Sequence, residues 1–356
     1  MIEITNGNLL EAPVSALVNT VNTEGVMGKG IALQFRNMFP DMFKDYAAAC
    51  KAGHVELGKM HIYHVSSFGE GPEWIINFPT KGKWRSKSKV SDIEAGLDDL
   101  VINIKRLNIQ SIAVPPLGCG NGGLDWSVVL PIIEDKLKSV QNVRVLVYPP
   151  SGAPDAKDMP NMTEKPKLSV AMATLIMMLS KYREGLMDPF ITVLEAQKLM
   201  YFLQEAGENL RLNYKKHYYG PYALNLRHVL NRMEKHYIEG FGDGDDKPSK
   251  PLFLLEGATE ESADLLKQHS DVAARVKRVE MLIDGFEDTY GMELLSSVHW
   301  VMCRVPHADE SVSIAVKAIQ EWNLRKSQTM KPAHIEKAWN RLHSQRWHSE
   351  ARSAPH

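Results

Sequence analysis

The sequence predicts an α/β unit, with a largely parallel central sheet covered by helices on both faces, followed by a mainly α-helical unit. Three observations carry that expectation. Up to about residue 150, short apolar strand-like runs alternate with helical stretches, the pattern of parallel strands joined by crossover helices. From about residue 166 the helical period takes over. Between them lies PPSGAPDAKDMPNMTEKPK, Pro149 to Lys167, rich in Pro, Gly, Asp and Lys with little to bury, which is linker composition. The expected division is 1–155, a linker at 156–165, and 166–356.

In the first half, Met1 to Thr5 and Val14 to Val18 are short apolar strand candidates, and Ile31 to Met38 and Asp41 to Ala49 have helical character. Met60 to Val65 and Trp74 to Phe78 return to strand. Ser91 to Leu107 is an amphipathic helix, Ser111 to Val114 a strand, Trp126 to Val140 a helix and Val143 to Tyr148 a final strand. In such sheets ligands sit beyond the carboxyl ends of the strands. A site is therefore expected on the loops after Val18, Phe78 and Val114.

The loop after Val18, NTVNTEGVMGKGIALQF, sets Gly25, Gly28 and Gly30 ahead of a helix. Glycines let the backbone wrap a ligand closely, and the helix start offers unpaired N–H groups and a positive dipole end, which suits a phosphate. The loop after Val114, PPLGCGNGGLDW, repeats the device with Gly118, Gly120, Gly122 and Gly123. Two such loops facing one another suit a diphosphate bridging two sugars. Cys119 has no histidine base beside it and is expected to pack as a small side chain under its loop.

The third loop belongs to INFPTKGKWRSKSK, where a strand expected to end at Pro79 is followed by Lys81, Lys83, Arg85, Lys87 and Lys89 around Trp84. A lysine is nucleophilic only when neutral, so a reactive one must sit where burial or neighbouring cations lower its pKa. Lys81 is nearest the ligand edge. The other four cations are either solvated charges or phosphate contacts, and Trp84 either caps the core or stacks on a base.

Bulk composition narrows the class. The chain of 356 residues is 44% hydrophobic and 24% charged, with a formal net charge of −1, so a nucleic-acid contact must be a local patch and not a global field. Cys50, Cys119 and Cys303 form no CxxC pair, which argues for a reducing cytoplasm and against a zinc site or disulfide framework. No apolar run approaches a membrane span, and MIEITNGNLL has no signal-peptide character, so cytoplasmic localisation is expected.

EITNGNLLEAPVSALVNTVNTEGVMGKGIALQF followed by PPLGCGNGGLDW resembles the macrodomains, an ADP-ribose-binding α/β/α family, and the match extends to Tyr148. Together with NFPTKGKWR it is most similar to the DarG type, antitoxins whose macrodomain removes ADP-ribose from DNA bases, with thymidine the favoured base. The resemblance implies that Asn8 and Leu9 lie at the adenine end. Asn19 and Asn22 match the strand-end motif, with Asn22 at the distal ribose. Val26, Met27, Gly28, Lys29 and Gly30 would form one phosphate loop, and Gly118, Cys119, Gly120, Asn121, Gly122 and Gly123 the other, with Thr80 lining the site. Lys81 is the implied nucleophile, and Lys83, Trp84 and Arg85 are candidate contacts to ADP-ribosylated single-stranded DNA. No cofactor or metal is implied, ADP-ribose being ligand and product. Two departures stand out: Asn8 replaces an aspartate common at the adenine position, and Gly122 falls where the lysine-dependent relatives carry a catalytic aspartate, with Asp125 three residues on. A non-catalytic ADP-ribose reader is the alternative, and deacylation of O-acetyl-ADP-ribose a third.

In the second half, Leu168 to Met178 is an apolar helix, and Ala196, Leu199, Met200 and Leu203 recur at helical spacing. In YYGPYALNLRHVL the Gly220–Pro221 pair is expected to break the chain before a new helix, with Tyr214, Tyr218, Tyr219 and Tyr222 around it as half-buried core. Further helices are expected within Asp271 to Cys303, Ala308 to Asn323 and Pro332 to His343, the last a basic surface helix before a frayed tail that carries His348, Arg352 and His356. LEAQKLMYFLQEAG with YYGPYALNLRHVL resembles the Panacea, or SocA-like, antitoxin domain. That resemblance implies a partner, a DarT-type ADP-ribosyltransferase toxin, restrained by this half.

Overall fold

The computed structural model describes residues 1–65, 71–185, 190–245 and 247–347. The chain forms two compact units: Met1–Glu164 together with Gly242–Asp245, and Lys165–Phe241 with the described residues after 246.

The first unit runs β1 (Ile2–Ile4), β2 (Ala16–Asn22), α1 (Gly30–Met38), α2 (Pro40–Lys51), β3 (His61–His64), β4 (Trp74–Lys81), α3 (Val90–Arg106), β5 (Ser111–Val114), α4 (Trp126–Leu137) and β6 (Arg144–Val147). The sheet order is β1-β6-β5-β2-β4-β3, parallel except for β3, which pairs antiparallel with β4 at one edge. Side chains alternate across β2: Ala16 and Val18 join the core beneath α3 and α4, while Leu17 and Val21 join the core with Phe35, Met42 and Tyr46 of α1 and α2. Both faces are thus covered, as βαβ connectivity demands.

The two site strands are longer than expected. β2 runs past Val18 to Asn22, and β4 runs past Pro79 to Lys81, so Asn19, Asn22, Thr80 and Lys81 stand on strands and not on the loops that follow. Polar side chains are tolerated in this buried sheet because they pair across it; Asn19 Nδ2 donates to Asn77 Oδ1 at 2.9 Å. The register slips between Val21 and Asn22, beside Pro79, which has no N–H to give.

The second unit contains α5 (Val170–Glu184), β7 (Ile191–Thr192), α6 (Val193–Glu205), β8 (Tyr214–His217), β9 (Gly220–Ala223), α7 (Leu226–Met233), β10 (Ile238–Glu239), β11 (Pro251–Leu254), α8 (Ala258–Leu266), α9 (Ser270–Ile283), α10 (Thr289–Arg304), α11 (Val312–Gln320), α12 (Leu324–Thr329) and α13 (Pro332–Ser344). Helices dominate, but two small sheets were not expected: β10-β11-β7 and the hairpin β8-β9. Gly220–Pro221 therefore does not end a segment. It begins β9, and the chain turns at Tyr218 and Tyr219. α6 starts at a full capping box in which Thr192 and Glu195 satisfy each other's N–H groups. α13 is basic yet not simply a surface helix. Ile335, Ala338 and Leu342 are buried, and Arg341 donates to the carbonyls of Leu282 and Asp284 at 3.0 and 2.7 Å, closing the end of α9. The tail with His348, Arg352 and His356 lies outside the described residues. Among the described residues, no helix is long and apolar enough to cross a membrane.

Candidate active site

β2 and β4 end side by side, and their register sets Lys81 opposite Asn22. The half-buried Lys81 donates from Nζ to the Asn121 carbonyl at 3.2 Å. Burial pulls its amine below the ordinary lysine pKa, the direction a nucleophilic amine needs.

Asn22 builds the first loop. Its Nδ2 donates to the Val26 carbonyl at 2.6 Å, and its Oδ1 accepts from the Glu24 and Val26 N–H groups at 2.9 and 3.3 Å. The Tyr46 hydroxyl donates to the Asn22 carbonyl from below. Met27 is 1% exposed and packs downward into the core, which leaves Val26, Gly28 and Lys29 to form the rim. Gly30, at φ +65°, opens α1, and a Cβ placed on it would stand 3.2 Å from Asn121 Nδ2 of the second loop. Lys81, the first loop and the second loop are thereby brought together around Asn121.

The second loop explains the missing aspartate. Gly122 accepts at its carbonyl from the Ser88 N–H at 3.0 Å, and a Cβ there would lie 2.3 Å from Ser88 Oγ and 2.4 Å from the Gly118 carbonyl. No side chain fits. Asp125 caps α4 instead, accepting from Ser127 N and Ser127 Oγ at 2.9 and 2.8 Å, and these bonds hold its carboxyl below the usual range. Burial, then the Asp125 charge, pushes the Cys119 thiol up to about 11, so it stays protonated and carries no nucleophile.

The remaining expected residues are positioned as follows. Asn8 caps the short 3-10 turn Leu9–Glu11, accepting from Leu10 N at 3.1 Å, and Leu9 is buried beneath it. Thr80 turns its hydroxyl onto the Val21 carbonyl at 3.3 Å. Lys83, Trp84, Arg85, Lys87 and Lys89 are exposed. Glu24 holds this loop by accepting from Trp84 N at 2.9 Å, and the Arg85 guanidinium covers one face of Trp84 at 4.4 Å.

Sequence reasoning missed a polar row that crosses three strands and runs from the exposed Asp45 to the fully buried Asn77 and Asn19. Asp45 meets His61 Nε2 at 3.2 Å, His61 Nδ1 lies 3.1 Å from Asn77 Nδ2, and Asn77 Oδ1 accepts from Asn19. With its proton on Nε2, facing Asp45, His61 accepts from Asn77. The amide orientations then follow in turn, leaving Asn19 Oδ1 without a hydrogen-bond partner. The signal was available: Asn77 is an amide inside the apolar run WIINFP.

The second unit also assembles groups that spacing did not reveal. Glu205, His299 and Cys303 have ligand-type atoms within 4.8 Å of one another. Yet the His299 nitrogens face Tyr201 Oη at 2.8 Å and the Trp347 carbonyl at 3.2 Å, and the Arg304 guanidinium already meets Glu205. This is a hydrogen-bonded core cluster. A second cluster lies under β9, where fully buried Lys198 donates to the Pro221 carbonyl at 2.7 Å and Lys326 donates to Glu293 and Ser297 at 2.5 and 2.9 Å. Burial and the Lys326 charge lower Lys198 to about 7. Between pH 7 and its ordinary value the unfolded chain binds the proton that the folded one refuses, so this group's contribution to stability rises with pH through that window. The melting temperature of the second unit should therefore gain a few degrees between pH 7 and 9, and Lys198→Met should flatten that gain. An unchanged pH slope in the variant would refute the assignment.

The family model for the macro domain matches residues 18–133, so the first unit is a macrodomain. Over 342 residues the chain is 43% identical to the DNA ADP-ribosyl glycohydrolase of Thermus aquaticus, covering 96% of this chain and 93% of that protein. It is 40% identical over 354 residues to the protein of that name from Mycobacterium tuberculosis, covering 96% and 99%. The solved macrodomain of Mycobacterium tuberculosis DarG is 52% identical, covers 42% of this chain and 99% of its own, and superposes with a TM-score of 0.42. The chain belongs to the DNA ADP-ribosyl glycohydrolase (DarG) family.

Proposed function

We propose that the macrodomain hydrolyses the N-glycosidic bond between ADP-ribose and a base of single-stranded DNA, with thymidine favoured, and that the helical unit binds and restrains a DarT-type ADP-ribosyltransferase toxin. The observation that carries the first half is Lys81: a half-buried amine of lowered pKa at a strand end, between two glycine-rich loops. Its neutral amine donates an electron pair to the anomeric carbon while the bond to the base breaks. The base leaves with the bonding pair and takes up a proton, and water then displaces the lysine. The diphosphate rests on the N–H groups of Gly28, Lys29 and Gly30 and of the Gly118–Gly123 loop. The remaining Nδ2 hydrogen of Asn22 reaches the distal ribose, and Asn8 and Leu9 flank the adenine.

Mass spectrometry tests the reaction directly: the full chain, incubated with an ADP-ribosylated oligonucleotide, should release the ADP-ribose and leave the unmodified strand. A mass that stays unchanged would support the reader alternative, in which the site binds ADP-ribose without cleaving it. The exposed cations around Trp84 add a second expectation. Affinity for the modified oligonucleotide should fall steeply with salt, and replacing Lys83, Arg85, Lys87 and Lys89 by Gln should flatten that slope while free ADP-ribose responds much less. Equal slopes for the two ligands would make the cluster a solvated loop.

A further inference from the structure

The segment FGDGDDK lies far along the chain from the phosphate loops, yet Gly242–Asp245 belongs to the first compact unit. The Gly30 N–H, the first orphan donor of α1, donates to the Asp243 carbonyl at 2.7 Å. Lys29 Nζ meets Asp245 Oδ1 at 2.9 Å, with the two side chains 35% and 24% exposed. Asp243 is 9% exposed, and its Oδ1 accepts from Asp245 N at 3.2 Å. The backbone is pressed onto the unit and does not merely graze it. Gly242 has φ +54°, and a Cβ there would stand 3.0 Å from Ala156 Cβ and 3.2 Å from Met159 Sδ, so only glycine allows the approach.

The helix start attracts negative charge whatever its source. Here a carbonyl oxygen occupies the Gly30 N–H, one of the donors to which the diphosphate is assigned, and a carboxylate sits on the Lys29 ammonium of the same loop. One N–H and one ammonium cannot serve both partners at full strength. We propose that Gly242–Asp245 is an internal anionic competitor for the diphosphate subsite, displaced when ADP-ribose enters. The inference rests on the assignment of Val26–Gly30 as the diphosphate loop. Any ligand entering the subsite must then displace this acidic segment from Lys29 and Gly30. ADP-ribose on DNA does so with the added phosphates of its strand, whereas the free product lacks them and leaves readily.

Calorimetry of ADP-ribose binding to the full chain tests the idea, comparing the unaltered protein with Asp245→Asn and with Asp135→Asn, an exposed charge control on α4. Asp245→Asn should bind about two- to fivefold tighter, the effect of removing one partly exposed carboxylate from Lys29, while Asp135→Asn should not change. Hydrogen exchange at the Gly244 and Asp245 amides should speed up when ADP-ribose is added. Binding that is unchanged in Asp245→Asn, or weakened because the segment grips the ligand, would overturn the proposal and leave the loop assignment standing. Absence of ADP-ribose binding in all three proteins would instead remove the loop assignment, and the competitor with it.

Discussion

Lys81→Ala should bind ADP-ribose within about tenfold of the unaltered chain, about 1.4 kcal/mol, while cleavage of ADP-ribosylated DNA falls by orders of magnitude. The asymmetry follows from what each step asks of the side chain. In the proposed site, binding is spread over two backbone loops and the Asn22-braced turn, and the lysine amine touches them through a single bond, to the Asn121 carbonyl. Bond cleavage asks for an electron pair at the anomeric carbon, and alanine has none. The pH dependence is a further signature. In the proposed mechanism only the neutral amine attacks, so the single-turnover rate should climb with pH and level off below the ordinary lysine range, because burial lowers this pKa. Single-turnover assays that find the variant cleaving at the unaltered rate would remove Lys81 from the mechanism.

Gly120→Glu should abolish ADP-ribose binding in a protein that remains folded. A Cβ on Gly120 meets nothing within 4 Å, so the fold has room for the side chain, which projects from the loop proposed to face the diphosphate. There it adds bulk and a negative charge beside the phosphates. Gly122 is the instructive contrast: the same substitution two residues on drives a Cβ into Ser88 and the Gly118 carbonyl and disrupts the loop itself. Calorimetry paired with circular dichroism separates the cases. A folded Gly120→Glu protein with unchanged affinity would mean that the diphosphate lies elsewhere.

The αβ order of the first half and both glycine-rich loops were legible in the sequence because they rest on local rules: periodicity, turn residues and helix starts. Strand lengths were not. A reader of VNTVN or NFPTK sees polar residues and a proline where a strand should stop, and only the cross-strand bonds of Asn19 with Asn77 show why pairing continues to Asn22 and Lys81. The hairpin β8-β9 escaped for a similar reason, since Gly220–Pro221 is a breaker signal by propensity and a strand start in place.

By itself, then, the sequence determined the groups available: a lysine at the edge of a buried strand, two glycine-rich loops ahead of helices, a basic stretch around a tryptophan, and a helical half with its own apolar face. Which of those groups meet was decided by the tertiary structure, because contact between residues far apart in the chain depends on sheet register and loop closure. It set Lys81 opposite Asn22 and on the Asn121 carbonyl, left no room for a side chain at Gly122, and turned Asp125 into a helix cap. It also placed Asp243 and Asp245 on Gly30 and Lys29, roughly two hundred residues away in the chain, where no local pattern could announce them.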